Sequence, residues 1–409
     1  MGQVAQTARH LVEQPVSRRY DFIFAGGGLA GLSLAYHLSR SEFQQSSVLI
    51  VDPARKDQND RTWCFWTNAP TLFDEIVYRS WSQLQIKNDH FEKTIDLRDY
   101  RYQMIRGLDF YRFVREQLSA RGNVEFVHDK VERVEDDDDG ARVSIGNHIY
   151  HGKWVFDSRF DLSEFKPDPS RGYYLQQHFK GWLIATPQAT FAPRRATLFD
   201  FRTRQKNGLR FFYVLPLSEH QALVEYVSLN RDDCDRELEE YVEHTLGVRD
   251  YRVVAREGGV NPLTDFPFPR RVARRGMTIG TPGGRIKPTS GYAFTRIQQD
   301  SAAIVDSLRR RGHPFDVPRD SRYFRLCDSL MLQLMYRRGD QMKSTFTALF
   351  ENNPIERVFR FLDETTSPQE NLALMASLPP GRFLDALARK MLRVPRFSVP
   401  TNAGKLGGI

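Results

Sequence analysis

Two groups of residues in this sequence have types and spacing suited to chemistry. The first is a lone carboxylate, Glu225, inside the apolar run ALVEYVSLN (222–230). The run has strand character, and strand side chains alternate between faces, which puts Glu225 in one row with Leu223 and Val227. Two readings of that row stand. It faces water, or it lines an apolar pocket where desolvation raises the carboxyl pKa and lets Glu225 donate a proton near neutral pH. The second group is Gly26, Gly28 and Gly31, the G-x-G-x-x-G of YDFIFAGGGLAGLSLAYHLSR. Its glycines suit a tight turn, close backbone approach to a pyrophosphate, and tight helix packing.

These residues need elements to position them. A short apolar strand over 20–25 precedes the glycines, and a helix over 32–38 follows, its N-terminal N–H groups and positive dipole end turned to the phosphates. A second strand, SSVLIVD, ends in Asp52, about where an acidic residue reaches the ribose hydroxyls of an adenosine. One such unit near the start of the sequence, with no second G-x-G-x-x-G after it, fits FAD better than NAD. The later MTIGTPGGRIKPTSGYAFTRIQQDSAAIVDSL gives a strand over 277–280, a Gly-rich loop with Gly283, Gly284 and Gly291, and a helix from about 293. That loop is suited to placing backbone N–H groups against a flavin ring or ribityl phosphate.

Five blocks then occur in order: NDRTWCFW (59–66), MIRGLDFY (104–111), QHFKGW (177–182), GTPGGRIKPTSGYAFTRIQ (280–298) and FLDETTS (361–367). Together they resemble the bacterial lycopene β-cyclase family, over roughly 20–390. The resemblance implies an FAD enzyme that uses the reduced flavin without net redox change, with NAD(P)H as reductant. Its implied reaction turns the linear ψ ends of lycopene into β-ionone rings (γ-carotene, then β-carotene). In that family a glutamate in the strand after an F-Y-x-L-P segment carries the acid or cation-stabilising role, which falls here on Glu225 in FFYVLPLSEHQALVEYVSLN. Plant relatives have two adjacent acids there, whereas Val224 and Tyr226 flank Glu225. Arg61 is expected as a flavin or phosphate contact. Trp63, Phe65 and Trp66 are expected either at the cofactor and channel or in the core, with Phe211, Phe212 and Tyr213 as further channel candidates. Asp157 and Arg159 meet the cofactor or form a solvated turn. Asp363 and Glu364 are secondary acids that could as well cap the next helix through Thr366 or Ser367.

The expected fold is α/β. An N-terminal extension (1–19) leads into a Rossmann-type FAD-binding domain assembled from 20–60, 101–160 and 275–310. It is interleaved with an antiparallel substrate domain (61–100 and 161–274) and followed by a helical, basic C-terminal region (311–409). The chain of 409 residues, 40% hydrophobic and 27% charged, suits a packed core. The acid run at 135–139, with Gly140 at a hairpin tip, is expected to be solvated, and no metal site is expected. Cys64, Cys234 and Cys327 lack paired or CxxC spacing, which points to a reducing compartment.

No apolar run approaches the roughly 18 residues of a membrane span. MGQVAQ begins like a myristoylation site but has Gln6 where Ser or Thr is needed. The net charge of +8 comes without a nucleic-acid-binding module, which favours an anionic membrane surface as partner over nucleic acid. In RFLDALARKMLRVPRF, helical spacing puts Arg382, Arg389, Arg393 and Arg396 on one side and Leu384, Leu387, Ala388 and Met391 on the other, with Pro395 ending the helix. Arg270, Arg271, Arg274, Arg275 and 309–311 are further candidates for a basic face. A cytoplasmic protein held peripherally at the inner face of a membrane follows, with lycopene and related carotenoids as substrates. Two alternatives remain: an FAD-dependent redox enzyme on an apolar isoprenoid (a monooxygenase or polyprenyl reductase), and a non-catalytic carotenoid carrier. Against the first, the late loop has GTPGGR rather than the G-D-A-A-H form of many flavin hydroxylases.

Overall fold

The computed structural model describes residues 18–392, apart from Asp139 and Asn207. Its first layer is a sheet of eight strands among these residues, with a parallel centre. Arg18–Ala25 lies between His148–Asp157 and Val48–Val51, and Val124–Val127 follows on the outer side of Val48–Val51. Gly276–Thr278 extends the sheet beyond His148–Asp157, also parallel. All four residues of Val48–Val51 are buried, as expected of a strand covered on both faces. Phe22, Phe24 and Ile50 pack under the helices Leu29–Ser39, Gly107–Ser119 and Phe294–Arg311. Ile23, Leu49 and Val51 meet the hairpin of Val131–Asp137 and Gly140–Ile145 on the opposite face.

The second layer is a seven-stranded sheet. Its order runs Arg252–Thr264, Tyr174–Ala185, Gln221–Ser228, Arg210–Pro216, Arg195–Asp200, Gln83–Asn88, Phe91–Asp96. Every pairing is antiparallel except Arg195–Asp200 with Gln83–Asn88. A small third sheet pairs Arg101–Arg106 with both Thr62–Thr67 and Arg79–Trp81. The strand 101–106, expected with the nucleotide domain, is thus joined to strands expected with the substrate domain. Five α-helices between Arg322 and Met391 complete the described residues.

The helix after the glycines begins at Leu29, earlier than the apolar pattern placed it, because Gly28 is extended and serves as its N-cap. The late strand is Gly276–Thr278, and the helix after its loop starts at Phe294. Arg18 and Arg19 of the expected 1–19 extension already belong to the first strand, and its residues 1–17, with Asp139, Arg393, Pro395 and Arg396, lie outside the described residues. The C-terminal amphipathic helix is Pro380–Met391. None of the described helices is long and apolar enough to cross a membrane.

Candidate active site

A cavity of about 580 Å³ lies between the two large sheets and joins both groups of chemistry-bearing residues. At one end, Gly28, Leu29 and Ala30 open the first helix onto it. A Cβ on Gly31 would sit 2.0 Å from the Gly26 carbonyl oxygen, so this turn closes only without a side chain. At Gly28 the same atom would meet nothing within 4 Å, because the position faces the cavity. Asp52 ties the turn down: its Oδ2 accepts the Gly27 N–H at 2.7 Å and its Oδ1 the Ala54 N–H at 2.8 Å. Ser158 on the neighbouring strand end also lines the cavity and donates to the Ala25 carbonyl. The helix N-terminus, the open Gly28 and the adjacent acid form a cradle whose donors suit a dinucleotide pyrophosphate.

At the other end stands Glu225. Its row-mates Leu223 and Val227 line the cavity with it, while Val224 and Tyr226 turn away into a separate core. The row therefore faces the cavity and not bulk water. The strand register extends this row across four strands: Tyr213 pairs with Glu225, Glu225 with Gly181, and Gly181 with Glu257. With no side chain at Gly181, the two carboxyls meet over it within hydrogen-bonding reach. A Cβ there would lie 3.1 Å from Glu257 Cγ and 2.9 Å from a Leu223 methyl. Thr62 Oγ1 donates to Glu257 Oε2 at 2.6 Å, and Glu257 Oε1 is buried without a partner.

Burial pushes the Glu225 carboxyl well above the usual carboxylate range, and the charge of Glu257 pushes the same way. Burial raises the Glu257 pKa as well, and the Thr62 hydrogen bond, the contact with Glu225 and the nearby Arg61 offset only part of that rise. Beside it, Tyr102 and Tyr292 hydroxyls are 2.8 Å apart, with Tyr213 bonded to Tyr292. Burial keeps the Tyr102 and Tyr213 hydroxyls protonated by pushing their pKa values well up. Cys64 completes this wall as a thiol, raised chiefly by burial.

Other sequence candidates are dispersed. Arg61 and Gly291 line the main cavity, as do Gly280 and Thr281 from the late loop. Gly283 and Gly284 line a second cavity of about 430 Å³, next to Arg270 and Arg285. Trp63 reaches the main cavity, whereas Phe65 stacks on Phe294 in the core and Trp66 stacks on Phe359. Phe212 is buried against Tyr241, and Phe211 against Phe199. Asp157 and Arg159 pair with each other. Asp363 accepts the Trp66 indole N–H at 2.8 Å, and burial raises its pKa to about 6. Burial opposes ionisation of Glu364, but Lys287 and Arg296 outweigh it and hold its pKa below the usual range. The cap of the next helix is Ser367, in a capping box with Glu370. Among the described residues no group of three or more His, Cys, Asp or Glu is placed to hold a metal.

The basic face is largely paired off. Arg270 binds Asp300, Arg274 pairs with Asp136, and Arg309, Arg310 and Arg311 pair with Asp306 and Asp316. Arg271 and Arg275 stack over Phe315 and Trp154.

Glu257 was missed by sequence reasoning. VVAREGGVN has a charge and two glycines around it and no clean alternation, so the only signal is the pairing of its strand with the Gly181 strand. That pairing is invisible locally.

A model of the lycopene cyclase protein family matches residues 21–388. The chain belongs to the lycopene cyclase family. Within it, the chain is 25% identical over 318 residues to a lycopene β-cyclase of Pseudescherichia vulneris, covering 72% of this chain and 75% of that one. A lycopene β-cyclase of Paracoccus sp. (strain N81106 / MBIC 01143) is 24% identical, with 88% and 94% covered. A chloroplastic neoxanthin synthase of Solanum tuberosum is also 24% identical, with 71% of this chain and 60% of that protein covered. Among solved structures, a flavoprotein/dehydrogenase from Cytophaga hutchinsonii superimposes with a TM-score of 0.61 at 12% identity, covering 91% and 99% of the two chains. A geranylgeranyl bacteriochlorophyll reductase-like protein from Thermoplasma acidophilum gives 0.55 at 13%, covering 91% and 97%. This lycopene cyclase family member therefore has the Rossmann-type fold of FAD-dependent oxidoreductases.

Proposed function

We propose that the protein is a lycopene β-cyclase in which Glu225 protonates the terminal double bond of a linear ψ end. One observation carries this reading: the half-buried Glu225 carboxyl, whose pKa burial raises, stands beside Leu223 and Val227 on the wall of a cavity that also reaches a dinucleotide cradle. The Glu225 O–H bond breaks as the C1=C2 π electrons form a C2–H bond, leaving a tertiary cation at C1. The C5=C6 electrons then close the ring, and loss of the C6 proton gives the β ring. An alkene is a weak base, so the acid must be fixed in place and shielded from water, which would trap the cation as an alcohol. Leu215, Leu223, Val227 and Phe179 supply the apolar wall, and the Trp63 ring offers a cation-stabilising face.

The cradle fits FAD. Gly26, Gly28 and Gly31 with the helix N-terminus would take the pyrophosphate, Asp52 the ribose, and Arg61, Gly280, Thr281 and Gly291 the remainder towards Glu225, with Gly283 and Gly284 supporting the same loop. In its reduced form, the flavin would supply negative charge near the polyene, where pre-placed charge in a dry site is most effective, with NAD(P)H as reductant. Lycopene dissolves in membranes, and an outward apolar helix face supports peripheral docking there: Leu384, Met391 and Leu392 are 63–76% exposed. NAD(P)H consumption per product formed separates this reading from a redox flavoenzyme. The cyclase uses none beyond the initial reduction of the flavin, whereas stoichiometric consumption contradicts the proposal.

A further inference from the structure

We propose that Glu257 is the positioning residue of this site: set behind Glu225 and off the cavity wall, its carboxylate keeps the one proton of the pair on Glu225. The inference rests on the reading of Glu225 as the acid. The geometry begins with register. Gly181 is the common partner of Glu225 and Glu257, one on each side of it, so the two side chains share one face of the sheet two strands apart. Neighbouring strands are about 4.8 Å apart, so the two backbones stand roughly twice that distance from each other, a span that two glutamates bridge only if nothing rises between them. Gly181 leaves that gap, and a Cβ there would press on Glu257 Cγ.

Glu257 Oε2 is taken by Thr62, while Glu257 Oε1 is buried with no donor. An ionised pair would leave that oxygen unsatisfied beside a second anion. A single proton on Glu225 supplies the missing donor. The groups facing the pair agree on which carboxyl keeps it. From the segment leading into Thr62–Thr67, Arg61 and Thr62 favour the anion at Glu257. Cys64 on that strand, Tyr213 on Arg210–Pro216 and Tyr292 on the late loop surround Glu225 and bring no positive charge to it.

The arrangement has a chemical consequence. Giving up the proton leaves two adjacent carboxylates, which is unfavourable alone but favourable opposite the carbocation formed in the same step. Once the proton has moved, the negative charge of the pair stands opposite the carbocation and stabilises it.

The test uses flavin-loaded protein. In carotenoid-free samples, the infrared carbonyl band of protonated Glu225 is assigned by its loss in Glu225→Gln and titrated in wild type, Glu257→Gln and Thr62→Val. Replacing Glu257 by Gln removes the neighbouring charge, so the midpoint should fall by about one pH unit or more. Thr62→Val should move it the same way by less, because Glu257 then competes better for the proton. In cyclisation assays the alkaline limb of kcat should shift in parallel, with KM within roughly twofold, and Glu257→Asp should restore most of the wild-type profile. A Glu225 midpoint unmoved in both variants overturns the inference, and if Glu257→Gln fails to retain flavin, Thr62→Val decides alone. A midpoint that shifts while no variant or wild type cyclises lycopene leaves the proton pair standing and removes the cyclase reading instead.

Discussion

Glu225 was legible in the sequence as a carboxylate in an apolar row. Its environment was not, because the side of the strand that meets a cavity depends on what packs across it. Leu223 and Val227 share the cavity wall with Glu225, so the row faces the cavity and not bulk water. Replacing Glu225 with Gln, which keeps size and loses the proton, should lower kcat by about 10²–10⁴-fold while flavin binding persists, as read by product formation and flavin absorbance. The sign of the pH dependence follows from the raised pKa. The active form is the protonated one, so cyclisation should decline as pH rises through the raised Glu225 pKa. An activity that instead required deprotonation, rising with pH, would contradict this role. Paired acids can mislead: Asp363 and Glu364 looked catalytic by adjacency, yet one holds an indole N–H and the other two cations.

At the scale of elements, the glycine turn was legible because strand, glycines, helix and terminal acid are contiguous. The Tyr213–Glu225–Gly181–Glu257 row was not, because its members come from strands far apart in sequence. Two glycines therefore make different predictions. Gly31→Ala should abolish flavin retention, since its Cβ collides with the Gly26 carbonyl. Gly181→Ala should leave flavin bound but reduce kcat, because the methyl separates the two carboxyls. The helix Pro380–Met391 shows a related limit. Its periodicity identified two faces, but not that the apolar one turns outward while Arg382 bonds to Gln341 and Ser344. Leu384→Glu with Met391→Glu should weaken flotation with anionic vesicles without unfolding the protein. Each lost insertion is worth roughly 1.5 kcal/mol, or about tenfold in binding. Unchanged flotation would remove this helix from the docking face.

At the scale of the molecule, the strand Gly276–Thr278 that leads into the late Gly-rich loop joins the first sheet beside His148–Asp157. The full extent of the second sheet was hidden, since Gln83–Asn88 and Phe91–Asp96 join it through a parallel pairing with Arg195–Asp200 that no local pattern marks. Folding around a buried acid has a stability signature. The folded state keeps a proton on Glu225 that the unfolded chain releases above its ordinary value of 4.5. The stability tied to that proton is therefore fully present below this value and is lost as pH rises towards the folded pKa. Thermal melts should show wild type losing ground to Glu225→Gln as pH increases, and parallel curves would mean that the carboxyl is not desolvated. The most direct test of the whole account is anaerobic turnover of lycopene in liposomes, with reduced FAD in D₂O and the product read by chromatography and mass spectrometry. Protonation-initiated cyclisation predicts a product isomeric with lycopene that carries one deuterium per ring. Recovered lycopene, or a product differing by two hydrogens or one oxygen, would contradict it.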